Sequence, residues 1–273
     1  MIKLENVSYK YKNSDYILKD INFSVNQGEV VAIVGKNGSG KSTIGKLIAG
    51  IIKLKEGNII IDDINISKGK NLELINKKVG IVFQNPDNQI IFNNINDEFS
   101  FILGKNKDNK DIIEKTLSYV DMAEYKNKDL YYLSLGQKQR IMIAEILAKK
   151  PKYIILDEPT TMIDSMGKDK IYQIIRNLKK NGYTIICITN LADEILLADK
   201  TIILNDGKIV SEIKIEELID KAYIFEKYEV KIPTVLEILV KLKNNGIIIE
   251  PKDISSIDSF VDELSFKLKS GDK

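Results

Sequence analysis

Residues 30–43 read VVAIVGKNGSGKST: an apolar run, a glycine-rich loop, and the start of a helical pattern. That order is the context in which G-x-x-x-x-G-K-[ST] has a physical meaning. Gly35, Gly38 and Gly40 leave room for backbone N–H groups to turn inward around phosphate oxygens, with Lys36, Asn37 and Ser39 between them. Lys41 brings a point charge toward the β- and γ-phosphates, the Ser42 hydroxyl can ligate Mg²⁺, and Thr43 closes the motif. The expectation is a nucleoside triphosphate site.

The chain has 273 residues, enough for one large domain, or one domain and a small appendix. With 44% apolar and 29% charged residues it reads as an ordinary globular protein. A net charge of +2 without a long basic stripe argues against nucleic acid as a partner. The single cysteine, Cys187, lies in the apolar run YTIICITN and reads as a small buried strand residue, compatible with a reducing cytosol. The first residues, MIKLENVSYKY, are patterned as a strand rather than a signal peptide. No apolar run approaches the roughly 20 residues of a membrane span, so a membrane role would be peripheral.

Outward from the loop, residues 1–66 read as β-rich, with strands in LENVSYKY, DINFSV and NIIIDDINI, and VGIVFQ (79–84) is a further strand. Residues 97–150 carry apolar positions at helical spacing, interrupted by the polar stretch KNKDNKD (105–111), which reads as a solvated loop. Then β and α patterns alternate: YIILDE (153–158), a helix near 165–181 with Gly182 at its C-terminal cap, YTIICIT (183–189), a short helix at 191–198, and a hairpin in TIILNDGKIV (201–210). Such alternation predicts an α/β fold with a mostly parallel sheet covered by helices. Beyond residue 213 two or three amphipathic helices, broken at Pro233 and at Gly246–Pro251, read as a small accessory segment spanning 214–273.

Two further motifs carry chemistry. In YIILDEP an acid pair ends a buried strand, where uncompensated charge is costly. Asp157 can hold Mg²⁺ through its water shell, and Glu158 is placed to polarise an attacking water. In LSLGQKQR, Leu133–Arg140, the Ser134 side chain with Gln137 three positions on is an ordinary capping box. Ser134, Gly136 and the helix N-terminus also form a second phosphate-binding surface. The two readings are compatible, because a capped N-terminus is what binds an anion.

The P-loop, a glutamine after a strand, LSxGQ, an apolar run ending in DEP, and the TMID turn together resemble the ATP-binding cassette (ABC) ATPases over residues 1–210. The resemblance implies an ABC-type P-loop fold: a mostly parallel core sheet, an N-terminal antiparallel β subdomain, a helical subdomain near 90–150 carrying the signature, and a small helical C-terminal domain after residue 213. It implies ATP and Mg²⁺ as cofactors. Tyr11 matches the aromatic that stacks on adenine, although by itself it reads as a half-buried strand aromatic. Gln84 matches the glutamine that touches Mg²⁺ and senses the membrane partner. Ser134, Gly136 and Gln137 match the signature that reaches the γ-phosphate of the other subunit's ATP. Glu158 matches the catalytic glutamate and Asp164 the aspartate of the following turn.

More narrowly, NPDNQ (85–89), EPTTMID (158–164), GQKQR and EVKIPTVLEILVKLKNNGI (229–247) resemble the energy-coupling-factor ATPases. Those are paired cytosolic subunits of vitamin and transition-metal importers. The resemblance implies a peripheral protein on the cytoplasmic face of the cell membrane. Its partners would be a second ABC subunit, a transmembrane coupling subunit and a substrate-binding membrane subunit. Two positions depart from the pattern. The chain has no histidine, and Asn190 stands where the switch histidine is expected. Asn can donate a hydrogen bond but cannot relay a proton. Leu135 replaces the first glycine of the usual signature. Both departures favour a heterodimer, in which a partner supplies one intact switch. The alternatives are a nucleotide-binding subunit of another ABC transporter, or a largely non-hydrolytic member of a heterodimeric pair.

Overall fold

In the computed structural model, residues 1–66, 71–104, 109–247, 249 and 257–270 are described. The chain builds two sheets. The first is antiparallel, in the order β2 (Leu18–Val25), β1 (Ile2–Tyr9), β4 (Glu56–Ile61), β5 (Ile64–Asn65). The stretch NIIIDDINI is therefore a hairpin rather than one strand: Asp62 and Asp63 turn the chain at φ 48° and 65°. The second sheet runs β10 (Lys208–Lys214), β9 (Lys200–Asn205), β3 (Val30–Val34), β8 (Thr184–Thr189), β7 (Tyr153–Asp157), β6 (Val79–Val82). All its pairings are parallel except β9–β10, the hairpin expected from NDG, which turns at Asp206 and Gly207.

The central strands are apolar on both faces because both faces are covered. Val30, Ala32, Val34, Ile154, Leu156, Ile185 and Cys187 join one core with helices α5 (Leu135–Ala148) and α6 (Ser165–Lys180). The alternate positions Val31, Ile33, Ile155, Ile186 and Ile188 join a second core, between this sheet, α1 (Lys41–Ile48) and the antiparallel sheet. Cys187 is fully buried, as its apolar neighbours imply.

The helical stretch is less continuous than its spacing predicts. After α2 (Leu72–Lys78), helices α3 (Ile95–Leu103) and α4 (Asn109–Tyr119) are followed by single 3₁₀ turns at 123–125 and 130–132 before α5 begins. Of the polar stretch read as a loop, residues 105–108 lie outside the described residues, whereas Asn109–Asp111 already form the first turn of α4. Burial of Ile113 and Leu117 on one face carries the helix back that far, and Asn109 Nδ2 bonds the Gly104 carbonyl. Beyond β10, α7 (Ala222–Lys227), α8 (Thr234–Asn244) and α9 (Ile257–Ser270) follow, with Pro233 at the N-cap of α8 and Gly246 at φ 84° just past its end. Pro251 lies outside the described residues. Leu218, Phe225, Leu236 and Leu239 belong to the same core as the parallel sheet. Among the described residues no helix is long and apolar enough to cross a membrane.

Helix α5 is buried from Gln139 to Ala148, which takes Glu145 inside next to Glu98 of α3. The Glu98 carboxylate accepts from the Ile91 and Phe92 backbone N–H groups. Burial, and then the Glu98 charge, push the Glu145 carboxyl from 4.5 up to about 8. The folded chain thus holds a proton that the unfolded chain releases above pH 4.5, so this site costs stability as pH rises from about 4.5 to about 8. Glu145→Gln is expected to raise the melting temperature by a few degrees at pH 8 and not at pH 4.5. An equal change at both pH values in thermal unfolding would remove titration as the cause.

Candidate functional site

The register of the parallel sheet brings four chain segments to one edge. Val34 pairs with Thr189, Asp157 with Ile188, and Val82 with Leu156, so β3, β7, β8 and β6 all end at the same level. Gly35, Glu158, Asn190 and, two residues past β6, Gln84 follow these ends directly. A crevice beyond the carboxyl ends of strands is where such sheets bind ligands.

From β3 the chain turns through the loop into α1. Gly35 runs so close to the next strand that a Cβ would lie 2.1 Å from the Leu204 carbonyl oxygen. Gly40, the N-cap of α1, sits at φ 105°, and a Cβ there would meet Leu18 Cδ2 at 2.6 Å. These two positions explain why the loop needs glycine. The α1 N-terminus points its amide end into the crevice. Lys41 Nζ donates to the carbonyls of Gly35 at 2.7 Å and Lys36 at 3.0 Å. Burial lowers its pKa, and the charges of Glu158 and Asp157 work against that fall.

Asp157 ends β7 and accepts the Ser42 hydroxyl at 2.8 Å. Burial raises its pKa, with the Ser42 bond opposing. Glu158 takes the left-handed conformation, φ 50°, and its N–H donates to the Ile188 carbonyl at 2.7 Å. Its Oε2 accepts from Gln84 Nε2 at 2.7 Å and Thr161 Oγ1 at 3.3 Å. Asn190 Nδ2 donates to Asn37 Oδ1 at 3.4 Å, while the buried Asn190 Oδ1 has no hydrogen-bond partner. Asn37, Gly38, Gly40, Lys41, Ser42, Thr43, Gln84, Glu158, Thr161 and Asn190 line one cleft of about 440 Å³, with Ile17 as an apolar wall. No cluster of three or more His, Cys, Asp or Glu side chains able to cage a metal occurs among the described residues. The Ser42–Asp157 oxygen pair nevertheless fits Mg²⁺, which is bound through one or two protein oxygens together with substrate phosphates.

The cleft does not include every residue expected of it. Tyr11 lies two residues past β1, not within a strand, and is 38% exposed. Its hydroxyl is 3.5 Å from Thr43 Oγ1 and its ring packs edge-on against Tyr9. Ser134, Gly136 and Gln137 lie in a different cleft, of about 460 Å³, together with Leu135, Met162 and Asp164. There the capping box is closed in both directions: Gln137 N–H donates to Ser134 Oγ at 3.3 Å, and Ser134 N–H to Gln137 Oε1 at 2.9 Å. Ile163 Cγ2 lies 3.0 Å from where a Cβ of Gly136 would stand, so this glycine is the constrained one, while Leu135 is half-buried at the cleft wall. Asp164 caps α6 through Gly167 N–H at 2.7 Å.

The glycine loop and the LSLGQ helix thus line two separate clefts. The family described as ABC transporter matches residues 18–161, more than half of the chain. This chain belongs to the ABC transporter family. Among curated relatives of this ABC chain, the energy-coupling factor transporter ATP-binding protein EcfA1 of Fusobacterium nucleatum is 40% identical over 262 residues, 94% of this chain and 96% of that protein. The EcfA1 protein of Caldanaerobacter subterraneus is 36% identical over 271 residues, 96% and 98% of the two chains. Among solved structures, CbiO1 of Clostridium perfringens, part of the ABC transporter complex CbiONQ, superposes with a TM-score of 0.74 at 31% identity, over 87% of this chain and 97% of that one. The ATP-binding cassette MJ0796, solved as a dimer with ADP and phosphate, gives a TM-score of 0.70 at 30% identity, over 78% and 98% of the two chains.

Sequence reading missed Ile17, Thr161 and a buried pair behind the ABC site. Thr160 donates to Glu194 Oε1 at 2.5 Å, tying the turn after Glu158 to the segment after Asn190. Burial raises the Glu194 carboxyl from 4.5 to about 7. Thr161 was findable as the residue three past Glu158; Glu194, which lies 34 positions from Thr160, was not. On the surface Lys36 of the loop also pairs with Glu229 of the C-terminal segment at 2.8 Å. Gly40→Ala, which forces a side chain into φ 105° and against Leu18, is expected to cost about 1–3 kcal/mol of stability. ATP affinity should fall at least tenfold, and calorimetric titration at a temperature where the variant is folded checks it. Unchanged affinity would mean that this glycine does not shape the cradle.

Proposed function

We propose that the chain is the ATP-binding, ATP-hydrolysing subunit of an energy-coupling-factor-type ABC importer, energising uptake of a vitamin or transition-metal ion. It works at the cytoplasmic face of the membrane with a second cassette, a transmembrane coupling subunit and a substrate-binding membrane subunit. The second cassette is a different chain, because Asn190 and Leu135 leave each composite site one departure short of the full pattern. Residues 1–213 are the cassette, and 214–273 an accessory segment for subunit contact.

The observation that carries this reading is the separation of the two clefts. Lys41 and the loop occupy one, and Ser134, Gly136 and Gln137 the other. A nucleotide cradled in the first meets no signature from its own chain, so a partner must supply it. ATP phosphates lie against the α1 N-terminus and Lys41, with Tyr11 at the base end. Ser42, Gln84 and Asp157 would hold Mg²⁺, which when bound would neutralise phosphate charge. Glu158 orients a water toward the γ-phosphorus and accepts its proton; a P–O bond to water forms as the bond to ADP breaks. Gln84, bonded to the same carboxylate, links that base to the neighbouring NPDNQ turn and so to a membrane partner. The uncharged Asn190 amide donates to a γ-phosphate without relaying a proton.

Asn190 also favours a second reading, a largely non-hydrolytic member of the pair, against which stands the placement of the Glu158 carboxylate in the cleft. Two substitutions separate them. Glu158→Gln is expected to lower turnover at this P-loop by 10²-fold or more while ATP binding stays within a few-fold; unchanged hydrolysis there places the base elsewhere. Asn190→His is expected to raise turnover of the assembled complex, and an unchanged rate would show that the missing histidine is no handicap. Co-purification from native membranes should recover the chain with a second cassette and membrane subunits, and full activity of the lone chain would contradict the proposal.

A further inference from the structure

Glu194 is a carboxylate with 0% exposure that lines no part of the ATP cleft. It lies in the 3₁₀ turn Ala192–Leu197, just past Asn190. Burial raises its pKa, and the Thr160 and Thr189 hydroxyls beside it oppose that rise. Both threonines are also fully buried. Stability alone would be served as well or better there by an apolar side chain. The two threonines belong to the two turns that carry the site. Thr160 stands two residues past Glu158, and its hydroxyl donates to Glu194 Oε1 at 2.5 Å. Thr189 immediately precedes Asn190, and its Oγ1 accepts the Leu191 N–H at 2.8 Å, closing the chain around Asn190. Glu158 needs such support, because its φ of 50° is left-handed. A non-glycine residue keeps that conformation only where its surroundings impose it. On one side the Glu158 N–H is fixed to the Ile188 carbonyl at 2.7 Å. On the other side Thr160 is the fixed point, and the next residue, Thr161, donates to the Glu158 carboxylate at 3.3 Å.

We propose that Glu194 is a positioning residue for hydrolysis, holding Glu158 in its left-handed turn through Thr160 and keeping that turn in register with Asn190 through Thr189. The inference rests on the reading of Glu158 as the base that orients the attacking water. Glu194 touches neither nucleotide nor water and acts only through the two threonines. Neither Thr160 nor Glu194 lines the ATP cleft, so their contribution belongs to the chemical step and not to ATP binding. A base displaced by about 1 Å can slow a reaction by as much as 10²-fold without changing any group that reacts. A buried hydroxyl–carboxylate bond between the two turns is a means of preventing that displacement.

The test uses the complex that co-purifies with the full chain. Thr160→Val removes the donor at similar volume, and Glu194→Leu removes the acceptor. Each is expected to lower kcat about tenfold or more, with KM for ATP within about twofold. The rate left by Glu158→Gln marks the share of the other cassette. In Thr160→Val/Glu194→Leu both partners are apolar, so neither is buried alone. The double variant should regain the parental melting temperature and keep a low kcat, no lower than that of the single variants. Thr160→Ser, which restores the donor, should recover most of the kcat lost in Thr160→Val. Activity that returns with stability in the double variant would reduce the pair to a structural contact and overturn the assignment. An unchanged kcat in the single variants, a KM raised as much as kcat falls, or no recovery in Thr160→Ser would overturn it too. Unchanged turnover in Glu158→Gln would instead remove the base reading, and the inference with it.

Discussion

A buried ammonium facing two carboxylates at the end of a parallel sheet is the constraint on which the rest depends. Lys41 is 4% exposed and Asp157 5%. Neither charge would be tolerable there without the other, the loop carbonyls and a polar ligand. To hold them together the sheet must put β3 and β7 at the same level on either side of β8, and the pairings Val34–Thr189 and Asp157–Ile188 do so. The same register then delivers Asn190 and Gln84 to the crevice. The apolar runs, buried on both faces, pin that register, because a slip of one residue would exchange the two cores.

Local chemistry was legible in the sequence and long-range partnering was not. The glycine loop, the acid pair and the capping box each lie within a few residues, and each declares its geometry by residue type. The strands and helices of 150–210 follow from simple alternation. Over residues 120–134 the helical spacing is deceptive, because 3₁₀ turns carry apolar anchors such as Leu130 and Leu133 at spacings that mimic a helix. The Gln84–Glu158 bond joins residues 74 positions apart, and only the adjacency of β6 and β7 explains it. The left-handed Glu158 and the Thr160–Glu194 pair were hidden for the same reason.

The two clefts give the departures from the family pattern distinct consequences. Asn190 lines the loop cleft and, on the proposed reading, bears on the ATP that this chain cradles. Leu135 lines the signature cleft and, on the same reading, bears on the ATP of the partner.

The central claim is that each chain holds half of a composite ATP site. It is tested most directly by ATP titration of the isolated chain carrying Ser134→Arg, together with turnover of the complex assembled from it. The expected result is unchanged ATP affinity in the isolated chain and loss of turnover at the partner's P-loop. Weakened ATP binding in the isolated chain, or undiminished turnover in the complex, would contradict the account.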